Sequence, residues 1–400
     1  MMSKKILIDG RFIGVGDSIS RYTLGVLSHL LEIDKENDYS LLIRPAGVKT
    51  VKENGLWDAD NLHVHVFDVA HYSFEEQTKL LIWLNKRHFD LVYFTQFNHP
   101  ILYRKPFIIN IHDLTTFGYF HYENPFKVAM FRRVMKSAAF NSKKVISISN
   151  TTKDEILDHY PIHKRKVEVI YPGIDRNYLR ISKMAAGDRY KLGKKFSESY
   201  ELPGDYLLYT GMWKKHKNLL RLLEAFQKVE SRKQEVENRR SIQLVLAGKI
   251  DRNQPEIVRE IEQINGHIID AVSNSDPVFV AGFVPEELLP SAYAGALAYV
   301  QPSLNEGFGL PPLEAMACGT PVIASNVSAT PEILGDAAEY FEPESIEDIA
   351  DKIDKIVNDS KLRINLQRKG FERIKLYTWE ENAKKTLKVI QWELAVRNKK

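Results

Sequence analysis

Short runs rich in β-branched residues alternate along this chain with longer stretches of helical periodicity, and the alternation occurs twice. In the first half, helical stretches separate the strand candidates KKILIDG, YSLLI, LHVHVF, DLVYFTQF, FIINIHDL, KVISIS and KVEVIYPG. After a polar, lysine-rich segment, the pattern resumes with DYLLYTGM, IQLVLAGK, PVFVAGFV, ALAYVQPS and PVIAS. Such alternation predicts parallel, doubly wound sheets covered by helices. We therefore expect an α/β chain with two Rossmann-like domains.

The chain has 400 residues, more than one hydrophobic core usually organises. We expect one domain over residues 1–175, a linker region over 176–204, a second domain over 205–378 and a terminal helix over 379–400 that packs back on the first domain. Ligands of open α/β sheets bind at the carboxyl ends of strands. We therefore expect the two domains to face each other across a cleft that holds the chemistry.

Charge, cysteine content and hydropathy exclude several protein classes. The net charge of +4 is small, and no nucleic-acid-binding motif accompanies it, so a nucleic-acid partner is not expected. Cys318 is the only cysteine, which excludes an intrachain disulfide and a multi-cysteine zinc cluster. The opening MMSKKILIDG is too polar for a signal peptide, and no later run approaches a membrane span. We expect a cytoplasmic protein.

The segment PSLNEGFGLPPLEAMACGTPVIAS, residues 302–325, has the pattern of a strand end followed by a glycine-rich turn and a helix. Pro311 and Pro312 open the predicted helix. Gly307 and Gly309 allow the backbone to approach a ligand closely, and the amides and dipole of a helix start favour an anion. The segment predicts a diphosphate site.

Two carboxylates bracket this turn, Glu306 before the glycines and Glu314 in what we expect to be the first helical turn. Glu314 could act only through the helix dipole, a stabilisation of about 0.3–1 kcal/mol. Glu306 beside a phosphate site is unfavourable unless it accepts hydrogen bonds, and sugar or ribose hydroxyls are suitable donors.

This pair of glutamates, separated by seven residues around Gly-Phe-Gly, resembles the hallmark of glycosyltransferase family 4. VFVAGFVPEELLPSAYAGALAYVQPS and SNVSATPEILGDAAEYFEP also resemble that family. The resemblance implies the GT-B fold, with an acceptor-binding N-terminal domain and a C-terminal domain that binds a nucleotide-sugar. It implies that Glu306 contacts hydroxyls of the donor sugar and Glu314 the ribose, while backbone amides around Phe308, Gly309 and Leu310 hold the diphosphate.

A departing diphosphate needs either a metal or fixed cations to stabilise its charge. TGMWKKHKN, residues 210–218, supplies cations directly after a strand. By resemblance, Lys217 matches the lysine that contacts the donor phosphates. Where family members often carry an arginine, this chain has Met212 and His216, so Lys214 or His216 is expected to supply the second cation.

The metal alternative depends on Asp58-Ala59-Asp60, which matches an Asp-x-Asp metal motif superficially. The two acids lie in the polar stretch GLWDADNLH, where aspartates are ordinary turn formers. We therefore expect no cofactor and a metal-independent reaction.

The strand candidate FIINIHDL ends in His112 and Asp113. A histidine at a strand end can be a purely structural hydrogen-bonding residue. The family resemblance includes such a pair and implies that His112 contacts the donor sugar or orients the acceptor, without acting as a nucleophile.

The first strand-to-helix junction, DGRFIGVGDSISRY, contains Gly14 and Gly16 before the first helix. A glycine there permits close approach of a phosphate or an acceptor. By resemblance, Gly16 and Arg21 are the residues expected to contact the donor.

Residues 126–144, FKVAMFRRVMKSAAFNSKK, carry six Lys or Arg and no acid in a helical pattern with Phe, Met and Val. Two interpretations stay open. Such a helix can dock at an anionic membrane surface, or it can pack its apolar side on the sheet and leave the basic side in water.

Taken with the resemblance, these patterns predict a retaining transferase of polysaccharide assembly. It would move a hexose, with mannose from GDP-mannose as the first choice, to a glycan or lipid-linked saccharide. We expect it in the cytoplasm or at the inner membrane face. The alternatives are a UDP-sugar-dependent transferase, another GT-B-like enzyme such as an epimerase or phosphorylase, and a catalytically silent accessory subunit.

Overall fold

The structure is a computed structural model that describes residues 3–15, 18–114, 125–234, 242–271 and 273–397. The chain divides into two compact units, residues 1–173 with 377–400 and residues 174–376. Gly16 lies outside the described residues.

The first unit is built on a parallel sheet. Among the described residues its strands are β1 (Lys5–Asp9), β2 (Asp38–Ile43), β3 (Leu62–Val66), β4 (Leu91–Phe94), β5 (Phe107–Ile111), β6 (Lys144–Ser147) and β7 (Val167–Val169). They lie in the order β3-β2-β1-β4-β5-β6-β7. Its α-helices are α1 (Ser18–Ile33), α2 (Val48–Glu53), α3 (Leu81–Asn85), α4 (Pro125–Asn141), α5 (Asn150–His159) and, near the end of the chain, Trp379–Arg397.

The second unit repeats the plan. Its described strands are β8 (Asp205–Thr210), β9 (Ile242–Ala247), β10 (Val278–Gly282), β11 (Ala298–Gln301), β12 (Val322–Ser325) and β13 (Ala338–Phe341), in the order β10-β9-β8-β11-β12-β13. Its helices are α6 (Arg176–Ser182), α7 (Ala186–Ser199), α8 (Leu219–Gln234), α9 (Pro255–Asn265), α10 (Leu289–Gly295), α11 (Leu310–Ala317), α12 (Thr330–Leu334), α13 (Ile346–Asn358) and α14 (Ser360–Arg373). The Trp379–Arg397 helix is α15.

The predicted α/β class, with two doubly wound parallel sheets, is confirmed. Strands β9 and β11 are buried along their whole length, as expected for parallel strands covered on both faces. In each sheet the order reverses at the centre, between β1 and β4 and between β8 and β11. Loops that leave the carboxyl ends of strands at such a switch point form the usual ligand site of doubly wound sheets.

The prediction of a linker over residues 176–204 is wrong, because this segment forms α6 and α7 of the second unit. An added Cβ on Gly193 of α7 would lie 2.7 Å from the Cα of Gly295 in α10. The two helices therefore meet backbone to backbone, and α7 buries little besides Gly193 and Phe196. Contact through glycines leaves no apolar stripe for sequence periodicity to detect.

The last helix, α15, belongs to the first unit and packs against α1. Its first residue, Trp379, fills the space beside Gly25 and Gly173. Within the described residues, no helix combines the length and apolarity needed to cross a bilayer.

Candidate functional site

The turn between β11 and α11 contains three backbone amides that donate to no acceptor in the part of the chain that the structure describes. Gly309, with φ 88°, precedes the helix, which begins at Leu310. Pro311 and Pro312 follow, and they have no N–H to contribute. Within the described residues, the amides of Gly307, Gly309 and Leu310 donate to no acceptor. These groups and the positive end of the helix dipole can hold an anion.

The two carboxylate oxygens of Glu306, the residue before these amides, differ in their surroundings. Oε1 accepts three hydrogen bonds, whereas Oε2 accepts none from the described residues. Its Oε1 accepts from Nζ of Lys217 at 2.6 Å. The same oxygen accepts from Nε2 of Gln301 at 2.6 Å and from Oγ of Ser303 at 2.7 Å. No described residue donates to Oε2, and the side chain is 14% exposed. Oε2 can therefore accept from a ligand hydroxyl.

The carboxylate of Glu306 is held in its charged form. Burial is the largest single influence and would raise its pKa, but the Lys217 ammonium, the hydrogen bonds from Lys217 and Ser303 and the charge of His216 together outweigh it. The pKa of Glu306 consequently lies below its ordinary value, and the group is ionised at neutral pH.

Lys217 lies in a tight turn after β8, and side-chain hydrogen bonds join this turn to the segment after β11. It ends the 3₁₀ turn Lys215–Lys217, and Asn218 follows with a left-handed φ of 59°. The side-chain amide of Asn218 donates to the carbonyls of Pro302 and Pro343 at 3.1 and 2.7 Å. The loop after β8 is thus fastened to the turn after β11, which brings Lys217 to Glu306.

The two candidates for the second cation have different surroundings. Lys214 pairs with Asp251 at 3.2 Å. The charge of His216 acts on Glu306 and lowers its pKa, and the His216 carbonyl accepts the Leu304 amide at 2.7 Å. His216 is therefore the candidate tied to the Glu306 cluster.

Glu314 lies deeper than expected. Because α11 begins at Leu310, Glu314 is in the second turn rather than the predicted first turn, so a role through the helix dipole does not apply. Its side chain is about 1% exposed, and its Oε2 accepts from the Tyr293 hydroxyl at 3.1 Å. Phe308, between the two glutamates in sequence, is buried as well.

A buried hydrogen-bond network joins the two glutamates, and sequence reasoning did not find its middle members. In order, it runs through Glu314, Tyr293, Thr210, Tyr299, Gln301 and Glu306. Burial raises the pKa of both tyrosines well above the ordinary value, so they remain protonated donors. The only available sequence signal was the glutamine that ends the apolar strand ALAYVQ.

In the first unit, His112 follows β5 directly. Its Nε2 lies 2.8 Å from the carbonyl of Thr95, which can only accept, so Nε2 carries the proton. The Tyr22 ring meets the imidazole edge to face at 4.8 Å. The ring of His112 is consequently fixed at the carboxyl edge of the sheet, beside the end of β4.

A buried ion cluster at the end of β1 was also missed by sequence reasoning. Arg11 is fully buried and donates to both carboxylate oxygens of Asp9 at 2.8 and 2.7 Å. It also donates to Glu76 at 2.8 Å. The Asp-Gly-Arg sequence directly after a buried strand was the available signal. In the same loop, a side chain on Gly14 would meet the Ala46 carbonyl at 2.4 Å, so Gly14 is needed for packing.

The residues considered for a metal are dispersed. Asp58 and Asp60 are exposed in the turn before β3. Among the described residues, no three His, Cys, Asp or Glu side chains gather as metal ligands. Metal independence stays a prediction.

Comparison with known families covers most of both units. The family model described as glycosyl transferases group 1 matches residues 194–373. The model described as glycosyltransferase family 4 matches residues 55–178. The first match contains the Lys217 turn and both glutamates, and the second contains His112.

Similar proteins include two mannosyltransferases from Escherichia coli. O-antigen chain mannosyltransferase B is 25% identical over 280 residues, which are 70% of this chain and 68% of that protein. Serotype-specific mannosyltransferase WbdA is 27% identical over 239 residues, 60% of this chain but only 27% of that protein's length. In fold, the chain is similar to Anabaena Alr3699/HepE, crystallised with UDP and glucose, with a TM-score of 0.72, 16% identity and coverage of 97% of this chain and 99% of that one.

Proposed function

The chain belongs to the glycosyl transferases of group 1, family 4, and we propose that it moves mannose from GDP-mannose to a saccharide acceptor in polysaccharide assembly, with retention of anomeric configuration. The observation that carries the proposal is the Glu306–Lys217 pair beside the amides of Gly307, Gly309 and Leu310, for which the described residues offer no acceptor. It joins a cation, an anion-binding turn and an open carboxylate oxygen, which are the groups that sugar transfer from a diphosphate requires.

Each of these groups has a proposed role. The amides of Gly307, Gly309 and Leu310 bind the diphosphate, and Lys217 uses its remaining N–H groups to stabilise the charge that develops on departure. Oε2 of Glu306 accepts a hydrogen bond from a hydroxyl of the donor sugar. The proposed reaction is a front-face attack in which the departing diphosphate takes the acceptor proton, so no enzyme nucleophile is needed.

Mannose and polysaccharide assembly are supported by the names of two similar proteins, O-antigen chain mannosyltransferase B and serotype-specific mannosyltransferase WbdA. An acceptor that is lipid-linked would bring the protein to the inner face of the membrane. The exposed basic residues of α4 support this location.

A UDP-sugar donor is the second candidate, supported by the UDP and glucose bound to Alr3699/HepE. Both candidates predict binding of a nucleoside diphosphate without metal. A catalytically silent subunit predicts no such response if its donor site is lost.

Thermal unfolding with GDP, UDP, ADP and dTDP, each with and without EDTA, tests the proposal. A nucleotide at about a hundred times its Kd adds about 2.7 kcal/mol to the free energy of unfolding. We expect GDP to give the largest, EDTA-insensitive rise, followed by mannose transfer whose anomeric configuration NMR will assign. A UDP response supports the second candidate, whereas no response contradicts both.

A further inference from the structure

The segment after β3 contains two departures from regular backbone geometry. Tyr72 has a φ of 55°, in the left-handed region that residues other than glycine rarely adopt. Four residues later the chain forms a π-helical segment, Glu76–Leu80. Both features are uncommon and persist where the surrounding structure fixes them, which is most often at functional sites.

A buried acid fixes this segment. Oε2 of Glu76 accepts the Tyr72 amide at 3.1 Å. Oε1 of Glu76 accepts from Arg11, and Arg11 is held in turn by Asp9 at the end of β1. The unusual backbone of Tyr72 is thus tied through two ion pairs to the centre of the sheet.

The same segment exposes aromatic surface. Tyr72 is 55% exposed and Phe74 is 79% exposed. The Tyr72 ring stacks on Phe131 with centroids 5.8 Å apart and planes 20° apart. Phe131 packs edge to face on the buried Phe97 at 4.6 Å. Phe97 and Phe131 therefore form a packed pair of rings between the core and the Tyr72 ring.

The position of this ring in the fold is also informative. Tyr72 follows β3, Phe97 follows β4, and Phe131 lies on α4, which follows β5. Loops that leave the carboxyl ends of parallel strands lie at one edge of the sheet, which is also the edge that carries His112. A backbone distortion that only served packing would be expected to bury the tyrosine, whereas this one leaves it 55% exposed at the edge where doubly wound sheets usually bind ligands.

We propose that Tyr72 is the stacking platform for a sugar ring of the acceptor, with Phe74 beside it; this inference rests on the proposed sugar transfer. The C–H groups on one face of a pyranose carry partial positive charge, and they pack favourably on the electron-rich face of an aromatic ring. A tyrosine adds a hydroxyl that can bond to sugar hydroxyls, and it loses little entropy because its support already fixes it.

The experiment is an NMR titration with mannobiose and mannotriose, without any donor. We expect Tyr72→Ala and Tyr72→Gly to weaken the affinity by about tenfold, and Tyr72→Phe to retain most of it. Ile82→Ala is the matched control, because Ile82 is 54% exposed on α3 of the same unit. Its affinity should equal that of the wild type.

Thermal unfolding of Tyr72→Gly separates a platform from a structural residue, because glycine adopts φ 55° without strain. A platform predicts weakened saccharide binding with an unfolding temperature close to that of the wild type, because relief of the backbone strain offsets the lost stacking on Phe131. Unchanged binding, lowered stability as the sole effect, or no binding of either saccharide to the wild type overturns the inference.

Failure of the inference about Tyr72 can be distinguished from failure of the proposed function. Saccharide binding that depends on Tyr72 in a protein that transfers no mannose upholds the platform and rejects the proposed donor. Mannose transfer by a protein whose acceptor affinity does not depend on Tyr72 upholds the proposed donor and rejects the platform.

Discussion

In the second unit, Oε1 of Glu306 accepts three hydrogen bonds, from Lys217, Gln301 and Ser303. Replacing Glu306 by glutamine keeps the shape but removes the charge that balances Lys217. We expect Glu306→Gln to lower mannose turnover by about 10²–10³-fold, as for loss of one group that stabilises a transition state. The GDP-induced rise in unfolding temperature should persist. Equal turnover in wild type and variant would contradict the role of Glu306.

The same substitution gives a pH dependence. The pKa of Glu306 is depressed in the folded state, so its contribution to stability is present above the ordinary value of 4.5 and is lost as the pH falls through the folded pKa. The difference in free energy of unfolding between wild type and Glu306→Gln should therefore be largest near neutral pH and shrink in acid. Urea titrations at several pH values measure it, and a difference that grows in acid would refute the assignment.

Glu314 presents a different case, because its carboxylate is buried against Tyr293. If Glu314 binds the ribose, Glu314→Gln should weaken GDP binding by about tenfold, the loss of one hydrogen bond to a charged group. Tyr293→Phe removes one hydrogen-bond donor to this carboxylate and leaves the carboxylate itself, so it should lower stability while retaining most of the GDP response. Calorimetric titration of both variants decides: equal losses of affinity would assign Glu314 to the network alone.

His112 is expected to act in turnover rather than in nucleotide binding. His112→Ala should reduce mannose transfer by about 10²-fold, in the range of a positioned acid, base or orienting group, and leave the Kd for GDP nearly unchanged. An unchanged rate would show that its bond to the Thr95 carbonyl serves the fold only.

At the scale of secondary-structure elements, the sequence predicted the strand, turn and helix around Glu306 because glycine and proline mark such junctions strongly. It did not predict the partners of that glutamate. Gln301 and Tyr299 lie on β11, where the apolar pattern indicates only burial, and Tyr293 is contributed by α10. Pairing between separate elements is decided by tertiary packing, which periodicity does not encode.

The error over residues 176–204 has the same origin. A helix is predicted from its apolar stripe, but α7 is held by the close approach of Gly193 to Gly295. Its side chains are largely exposed and charged, which made the segment resemble a linker.

Of the two interpretations that the sequence left open for α4, the structure supports packing of its apolar side in the core, and membrane contact stays a prediction. Val134, Met135, Ala138 and Ala139 are buried in the core of the first unit, whereas Arg133, Lys136 and Phe140 are exposed. The buried side packs in the core, and the exposed side carries cations and the Phe140 ring, a combination that is typical of helices that dock on an anionic bilayer.

Charge reversal on α4 tests the membrane contact. Arg133→Glu with Lys136→Glu should reduce co-sedimentation with phosphatidylglycerol liposomes at low salt, since each cation near such a surface contributes about 1 kcal/mol. Lys194→Glu with Lys195→Glu on α7 makes the same change of net charge on the other unit and should have little effect. Equal binding by both double variants, or none by the wild type, would reject α4 as the contact.

For the whole molecule, the first unit is assembled from both ends of the chain. Residues 377–400 join residues 1–173, and the Asn382 amide donates to the Tyr171 carbonyl at 2.7 Å. The Trp379 ring occupies the place that a side chain on Gly25 of α1 would need. The stability of the first unit should therefore depend on residues more than two hundred positions later in the sequence.

Gly25→Ala measures this dependence. The added methyl would lie 2.3 Å from the Trp379 ring, so we expect a loss of about 1–3 kcal/mol in the free energy of unfolding. Gly187→Ala is the matched control, because nothing lies within 4 Å of the added methyl on α7, and it should be neutral or stabilising by up to about 1 kcal/mol. In a Trp379→Ala background the ring is gone, so Gly25→Ala should cost much less than in the wild type. If its cost is the same in both backgrounds, the contact between α1 and the end of the chain is not what makes a glycine necessary at position 25.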